Sequence, residues 1–508
     1  MADPNWLSLG TNGNGSNAGN EFEVSNTLPP PHPDLSDQDA TASGVDKSSE
    51  RSTTRRKMFL GLAVLVVVIA AAVAVPLVLR SPAKQPSSSM NSSGSGGGDS
   101  TEEGKKDNTD SIPAGEPDAN SPIAKIIRGI ARNGGKEFQD ANSYQSRAKQ
   151  WVLTQAFPVN DGSKMTTEQQ ATQLYALACL YYATYSVRSD WTDVHYGADL
   201  ALPGWYSDRG WLGSADDVCN WHGLACDDQG RIRKIELDTN GLTGAFPSEV
   251  ALLHETLTTI DLYNNMVHNV GDEGNSFLGE LTNLEHLYLG TTNFEYAGIP
   301  LVLGKLTALK ELDVSHSLYF GKLDGATFAK LSNLRYLAMD GNSYNSPLPS
   351  ELVQLPSLEF LYAGFSFLED NIDFVSDMPK IRELWVDDNP DLKGTIPSSF
   401  PDTLASFSAS NCGFTGPIPT EIGSLNNMVQ LWLNDNELTG EIPSEIGNLV
   451  TLEILNVQGN NLVGDMSSSI CNRRRPFGRL EELGADCDGA ITCSEQCCTC
   501  CGDQCASR

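Results

Sequence analysis

Between residues 232 and 466 apolar and polar positions recur in a unit that reads LxxLxLxxN. The clearest copies are Leu334-Leu337-Met339-Asn342, Ile381-Leu384-Val386-Asn389 and Leu452-Leu455-Val457-Asn460. With the Asn position as register mark, the series runs Asn240, Asn265, Thr292, Ser317, Asn342, Ser366, Asn389, Cys412, Asn436 and Asn460. The gaps are 25, 27, 25, 25, 24, 23, 23, 24 and 24 residues, so about ten copies hold one register. Such a series predicts a solenoid, because a single unit cannot bury its apolar side alone and must stack on its neighbours. The LxL core predicts a short strand with both apolar side chains inward and the residue between them on a concave, solvent-facing side. The Asn amide turns inward, where it can satisfy backbone groups of the bend that follows. Stacked, these strands form one long parallel sheet, and the expected fold class is an α/β solenoid.

Upstream, residues 122–231 change to helical spacing. Ile123, Ile126, Ile127 and Ile130 fall on one helical face, and Trp151, Val152 and Leu153 mark a second segment. A third opens with Thr166 and Gln169 as a capping box and continues through Leu174, Leu177, Ala178, Tyr181 and Tyr182. This region predicts a helical cap over the first turn of the solenoid. Cys179 lies within it and reads as a small buried thiol.

A different pattern fills residues 58–79, MFLGLAVLVVVIAAAVAVPLVL, which carry no charge on any side. At about 1.5 Å per residue the run reaches about 33 Å, enough to cross a bilayer core as a single transmembrane helix. Arg51, Arg55, Arg56 and Lys57 precede it and only Arg80 and Lys84 follow closely, which places residues 1–57 in the cytoplasm and the remainder outside or in a lumen. Residues 1–57 show no apolar period and read as a disordered tail. Residues 80–121, with SGSGGGDS, read as a flexible linker spanning about 35 Å, and Asn91-Ser92-Ser93 is a glycosylation sequon if this side is lumenal.

The chain has 508 residues with 34 Lys and Arg against 65 Asp and Glu, a net charge of −31. So acidic a surface repels phosphate backbones and argues against nucleic acid as a partner. Of 12 cysteines, seven lie between Cys487 and Cys505. After the repeats, residues 467–508 read as a C-terminal cap and Cys-rich tail, with Cys471 and Cys487 as a candidate cap disulfide. The tail beyond fits further disulfides in an oxidising compartment or a soft-metal site in a reducing one. No metal or cofactor is expected from the remaining residues. Cys412 occupies the Asn position of its repeat and reads as a structural substitute.

The segments after the strands, LTGAFPSEV from Leu242, LKGTIPSSF from Leu392, FTGPIPTEIGSL from Phe414 and LTGEIPSEIGNL from Leu438, resemble the plant-specific class of leucine-rich repeats. That resemblance implies a twisted superhelix with an extra convex strand and short 3₁₀ turns, although the second, third, fourth and sixth repeats depart from the motif. Cys219-Asn-Trp221-His-Gly223-Leu-Ala-Cys226 resembles the end of the plant-type N-terminal cap, which implies a Cys219–Cys226 disulfide. Zinc on Cys219, His222 and Cys226 is the competing reading, short of one ligand. Taken together, the tail, span, linker, cap and repeats resemble receptor-like membrane proteins without a kinase domain, in particular a set found in diatoms.

Counting along the strands places Tyr263, Tyr288, Tyr336, Phe360, Tyr362, Phe365, Trp385 and Trp432 on the concave side, with Glu236, Asp238, Asp261, Asp313, Asp340, Asp387, Asp388 and Asp435. Rings beside carboxylates suit a sugar or a basic peptide. They equally suit packing of neighbouring rings along the ladder. The candidate ligand-binding set is Tyr263, Tyr288, Tyr336, Tyr362, Trp385, Asp387, Asp388 and Trp432. An open acidic face without a water-shielded pair, and without a nucleophile or metal triad, argues against an enzyme. The expected function is extracellular recognition of a protein, peptide or glycan, with signalling through a partner such as a co-receptor kinase. The alternative is an inhibitor of secreted polysaccharide-degrading enzymes, a role the resemblance implies for soluble relatives.

Overall fold

The computed structural model describes residues 121–155, 165–185, 204–269, 276–487, 491–493, 497–498 and 500–501. The tail 1–57, the apolar run 58–79 and the linker up to residue 120 lie outside the described residues. Among the described residues no helix is long and apolar enough to cross a membrane.

The periodic region forms the expected sheet. Its described strands number thirteen, from Leu224–Cys226 to Cys500–Cys501. The first pair is antiparallel and the following pairs are parallel in an unbroken register, so that Leu312, Leu337, Leu361, Leu384, Phe407 and Leu431 form one inward row. Each of these is fully buried. The sheet does not stop with the tenth repeat. Strand Glu482–Ala485 pairs in parallel with Ile454–Asn456, and Cys500–Cys501 pairs with it in turn. Leu480, Leu483 and Ala485 supply the same apolar spacing there, and all three are buried.

The register positions behave as the amide argument requires. Asn389 Nδ2 donates to the carbonyls of Ala363, Val386 and Asp387, while its Oδ1 accepts from the N–H of Ser366 and Leu368. Asn265, Asn342, Asn436 and Asn460 repeat this bridge between coils. The residue before each of them is left-handed, as at Asn264, Gly341, Asp388, Asp435 and Gly459, where φ lies between 54° and 67°. Where a hydroxyl replaces the amide, it keeps a donor: Ser366 Oγ donates to the carbonyls of Met339 and Gly364. Cys412 Sγ stands 3.3 Å from the Val386 carbonyl.

On the other side of each coil, the strands Lys393–Thr395, Gly413–Gly416, Glu437–Gly440 and Asn461–Leu462 form a second parallel sheet. Shorter pairs continue it in the divergent repeats, for example Ser346–Pro347 with Leu368–Glu369. Single 3₁₀ turns such as Thr420–Ser424 and Ser444–Asn448 complete the convex side.

The cap contains helices α1 (Pro122–Ile130), α2 (Tyr144–Thr154) and α3 (Thr167–Thr184). α3 starts with the expected capping box: Thr166 Oγ1 accepts from Gln169 N–H, and Gln169 Oε1 accepts from Thr166 N–H. Nearly every residue from Ala171 to Leu180 is buried, Cys179 included, because the helix lies between α2 and the convex turn Ser248–Leu253. Its end comes so close to the first repeat that a Cβ on Gly244 would sit 2.4 Å from the Ala183 carbonyl oxygen. Polar ties secure the cap. Tyr144 donates to Glu249 at 3.0 Å, and Arg132 binds Glu280 through both nitrogens.

Cys219 and Cys226 are bonded, with the buried Trp221 between them in sequence, so neither thiol is free for zinc. At the other end Cys471 is bonded to Cys497, a correction to the Cys471–Cys487 pairing. The reason is the additional strand: Glu482–Ala485 carries the chain across the concave face before Cys487. Cys471, on the short helix Ser468–Cys471, therefore meets Cys497 of the tail instead. Cys487 is disulfide-bonded as well, and Cys493 is joined to Cys498.

Candidate functional site

Each concave strand shows solvent the residues on either side of its inward Leu, and the residue two further on shares that face. The structure divides the predicted aromatic stripe into three parts. Tyr336, Phe360, Tyr362 and Trp385 form one cluster. Tyr362 lies 5.5 Å from both Tyr336 and Trp385 by ring centroids, and Tyr336 and Phe360 are 6.4 Å apart. Tyr336 is 4 % exposed, Phe360 8 % and Tyr362 1 %. These rings cover one another along the ladder, because parallel strands place bulky side chains side by side on one face. They are therefore not presented as open stacking platforms.

Tyr263 and Tyr288 lie nearer the N-terminal cap, apart from the cluster. Burial pushes the Tyr263 phenol up to about 12, with the negative charge of Asp313 adding to the shift. Tyr288 donates to Glu311 on the next strand, just as Tyr362 donates to Glu383 at 2.6 Å. Trp385 repeats the same diagonal step, its indole N–H donating to Ser406 at 3.0 Å. Trp432 stands apart on the far side of strand Ser406–Ser408, in register with Ser408 and Asn456. The acceptors Glu311, Glu383 and Ser406 were missed in the sequence. The signal for them is positional: each precedes the first apolar residue of the following strand.

The acids also separate. Asp387 is buried, and burial together with the neighbouring charge of Asp388 raises its carboxyl to about 7. Asp388 occupies a left-handed position and accepts from Asn411 Nδ2 at 2.6 Å; burial raises its pKa too. Charge reversal at Asp387 would thus test folding before it tested a ligand. Asp313 and Asp340 are buried on the same face. A Cβ on Gly290 would come within 2.6 Å of Asp313 Oδ1, so that repeat leaves space for the neighbouring acid. His316 Nε2 lies 2.9 Å from Asp340 Oδ2. Burial disfavours the charged ring, but Asp340 and Asp313 outweigh it and hold His316 above its usual range.

The buried Leu ladder, the bridging Asn amides, the second convex sheet and the disulfide-closed cap are now assembled, and the family comparison agrees with them. The Leucine rich repeat family model matches residues 307–365, and a second Leucine Rich Repeat model matches residues 427–449. The chain carries leucine-rich repeats and resembles plant receptor-like proteins. It is similar to Receptor-like protein 6 of Arabidopsis thaliana, 28 % identical over 232 residues, which cover 43 % of this chain and 23 % of that relative. It is 38 % identical over 114 residues to Receptor-like protein 39 of the same plant, covering 22 % and 12 %. The leucine-rich-repeat chain thus matches less than a quarter of the length of these curated relatives. Among solved structures, the Arabidopsis receptor kinase HAESA ectodomain aligns with a TM-score of 0.48 at 25 % identity, covering 53 % of this chain and 44 % of that one.

Proposed function

We propose that this leucine-rich-repeat protein is a membrane-anchored recognition protein. Its repeat domain lies outside the cytoplasm, most consistently at the plasma membrane, and binds a protein, peptide or glycan through the concave face. The observation that carries this reading is the continuous concave sheet closed at both ends by disulfide-bonded caps. Disulfides persist in oxidising compartments, which agrees with the charge bias around residues 58–79. Similarity to receptor-like proteins supports the same assignment. The face runs across thirteen described strands, which suits recognition of an extended partner over several repeats. The partner we expect to carry a signal inward is a co-receptor kinase.

Two measurements test the reading. Protease added outside intact cells should cleave the repeat domain and spare an epitope placed before residue 58; the opposite protection pattern would reverse the topology. The purified protein should bind a member of a secreted-protein or glycan array, with affinity lost on substitution of concave residues.

A further inference from the structure

The concave face changes character after Asp387. Strands Ser406–Ser408, Gln430–Trp432 and Ile454–Asn456, with the residue two beyond each, present no ionisable side chain on this face. The earlier strands each place an acid, a base or a tyrosine there. Within this neutral stretch stands one large ring, the half-buried Trp432.

The environment of Trp432 differs from that of Trp385. Trp385 uses its N–H on Ser406, the residue that precedes the inward Phe407 of the next strand. The corresponding residue after Trp432 is Ile454, which has no acceptor in its side chain. Trp432 lies outside the packed aromatic cluster, and none of the ring pairs among the described residues includes it. Its indole N–H has no acceptor among the described residues.

A second, independent feature lies diagonally across the same face. Gln458 is 9 % exposed, and its Oε1 is buried without a hydrogen-bond partner. A buried amide oxygen without a donor has lost its hydration with nothing in exchange, so a partner that supplies a donor is favoured. The surrounding amides are already oriented. Asn434 Oδ1 accepts from Ser410 at 2.7 Å, Asn434 Nδ2 donates to Asp435, and Asn456 Oδ1 accepts from the Gln458 N–H. The patch therefore combines a ring with an unused donor, a buried unused acceptor and a set of fixed amides.

The acids bordering the patch are engaged. Asp388 is bound by Asn411, Asp435 by Asn434, and Asp486 by the N–H groups of Gly459 and Asn460. An acidic rim of this kind disfavours uronate and sulfated chains. No carboxylate in the patch itself is available for a basic peptide. A pyranose matches what remains: its C–H face stacks on an indole, and its hydroxyls both donate and accept.

We infer that the concave surface around Trp432 and Gln458 is a subsite for neutral hexose or pentose polysaccharide. The inference rests on the recognition reading above and specifies the ligand class for it. One sugar ring stacks on Trp432, whose N–H donates to a hydroxyl or ring oxygen, and a second hydroxyl donates to Gln458 Oε1. Occupation satisfies both groups at once.

The test uses the full chain in detergent. Calorimetric titration with cello-, laminari-, manno- and xylohexaose would be run beside polygalacturonate and sulfated galactan oligomers, and a secreted-protein array would be probed in parallel. At least one neutral hexasaccharide should bind and the charged oligomers should not. Trp432→Ala should weaken that binding at least tenfold, Gln458→Leu several-fold, and Trp432→Phe less than Trp432→Ala, since it keeps a stacking ring. Each variant must melt within a few degrees of the native chain for its result to count. Neutral-sugar binding unaffected by both Trp432→Ala and Gln458→Leu overturns the subsite. Binding of a secreted protein through the concave face, with no sugar bound, also overturns it and leaves the recognition reading standing. A chain that binds nothing on either array loses both.

Discussion

The indole N–H of Trp385 donates to Ser406 Oγ at 3.0 Å, and the Trp385 ring stands edge-on to Tyr362 with centroids 5.5 Å apart. One side chain thereby ties three successive strands. This makes Trp385 a structural element before it is a ligand contact. Trp385→Ala is expected to cost about 2–4 kcal/mol through lost packing, and Trp385→Phe about 1 kcal/mol through the lost hydrogen bond alone. Denaturant midpoints for the two variants would check this. A Trp385→Ala chain as stable as the native one would mean that the ring contributes little to the ladder.

Much of the fold was legible because its constraints are periodic. An inward apolar residue every two positions within a strand and an Asn-type register position every 23 to 27 residues leave one stacking solution. The capping box at Thr166 and Gln169 was equally legible, since it is a local pattern. The strand Glu482–Ala485, beyond the tenth repeat, was obscured because its coil begins with NRRRPFGRL, which lacks the GxIP phrase, and because the chain there is also read as tail. The concave chemistry was only half legible. Counting residues identifies which side chains share a face, as for Tyr336, Tyr362 and Trp385. It does not say that Tyr362 would be covered by its neighbours while Trp432 stands clear, because that depends on the size of the residue one coil away. Ile454 in place of an acceptor is the decisive difference, and it becomes apparent only when residues 22 apart are compared as neighbours.

The amide ladder gives a graded expectation. Asn389 makes three donor contacts and accepts two backbone N–H groups, all buried. Asn389→Leu should cost about 3 kcal/mol or more, because it leaves several buried backbone groups unsatisfied. Asn389→Ser should cost less, since Ser366 and Ser317 show that a hydroxyl can reach the same carbonyls. Equilibrium unfolding of both variants would rank them. Equal stabilities would show that water takes over the bonds of the ladder.

Asp387 sets a pH dependence. Its carboxyl titrates near 7 in the folded chain and near 4 when unfolded, so the folded state binds the additional proton between these values. Stability from this group therefore falls as pH rises from about 4 to about 7 and is level above that. His316 acts in the same direction at higher pH. Its folded pKa is raised, so the stability it contributes below its unfolded pKa is lost as pH rises through the folded value. Asp387→Asn removes the first effect without changing shape, and Asn434 already occupies the equivalent position two repeats on. The variant should melt higher than the native chain at pH 7.5, with the difference shrinking toward pH 4. A constant difference across that range would remove the titration of Asp387 from the account.

Cys412 offers the converse experiment, in which a natural departure from the ladder is repaired. Its sulfur stands 3.3 Å from the Val386 carbonyl and 3.4 Å from that of Ser410, the places that an Asn amide fills in the neighbouring coils. A thiol is a weak donor and a weak acceptor, and burial raises its pKa well above the usual range, so it remains protonated. Cys412→Asn should therefore strengthen the donor contacts and supply an acceptor, stabilising the chain by about 1 kcal/mol. The native thiol should also resist alkylation until the solenoid opens, since Cys412 is only 8 % exposed. Thermal melting of Cys412→Asn and the rate of iodoacetamide labelling at Cys412 measure the two halves of this expectation. Rapid labelling of the folded chain would show that the coil opens locally, and a lower melting temperature for Cys412→Asn would show that the site is shaped for sulfur.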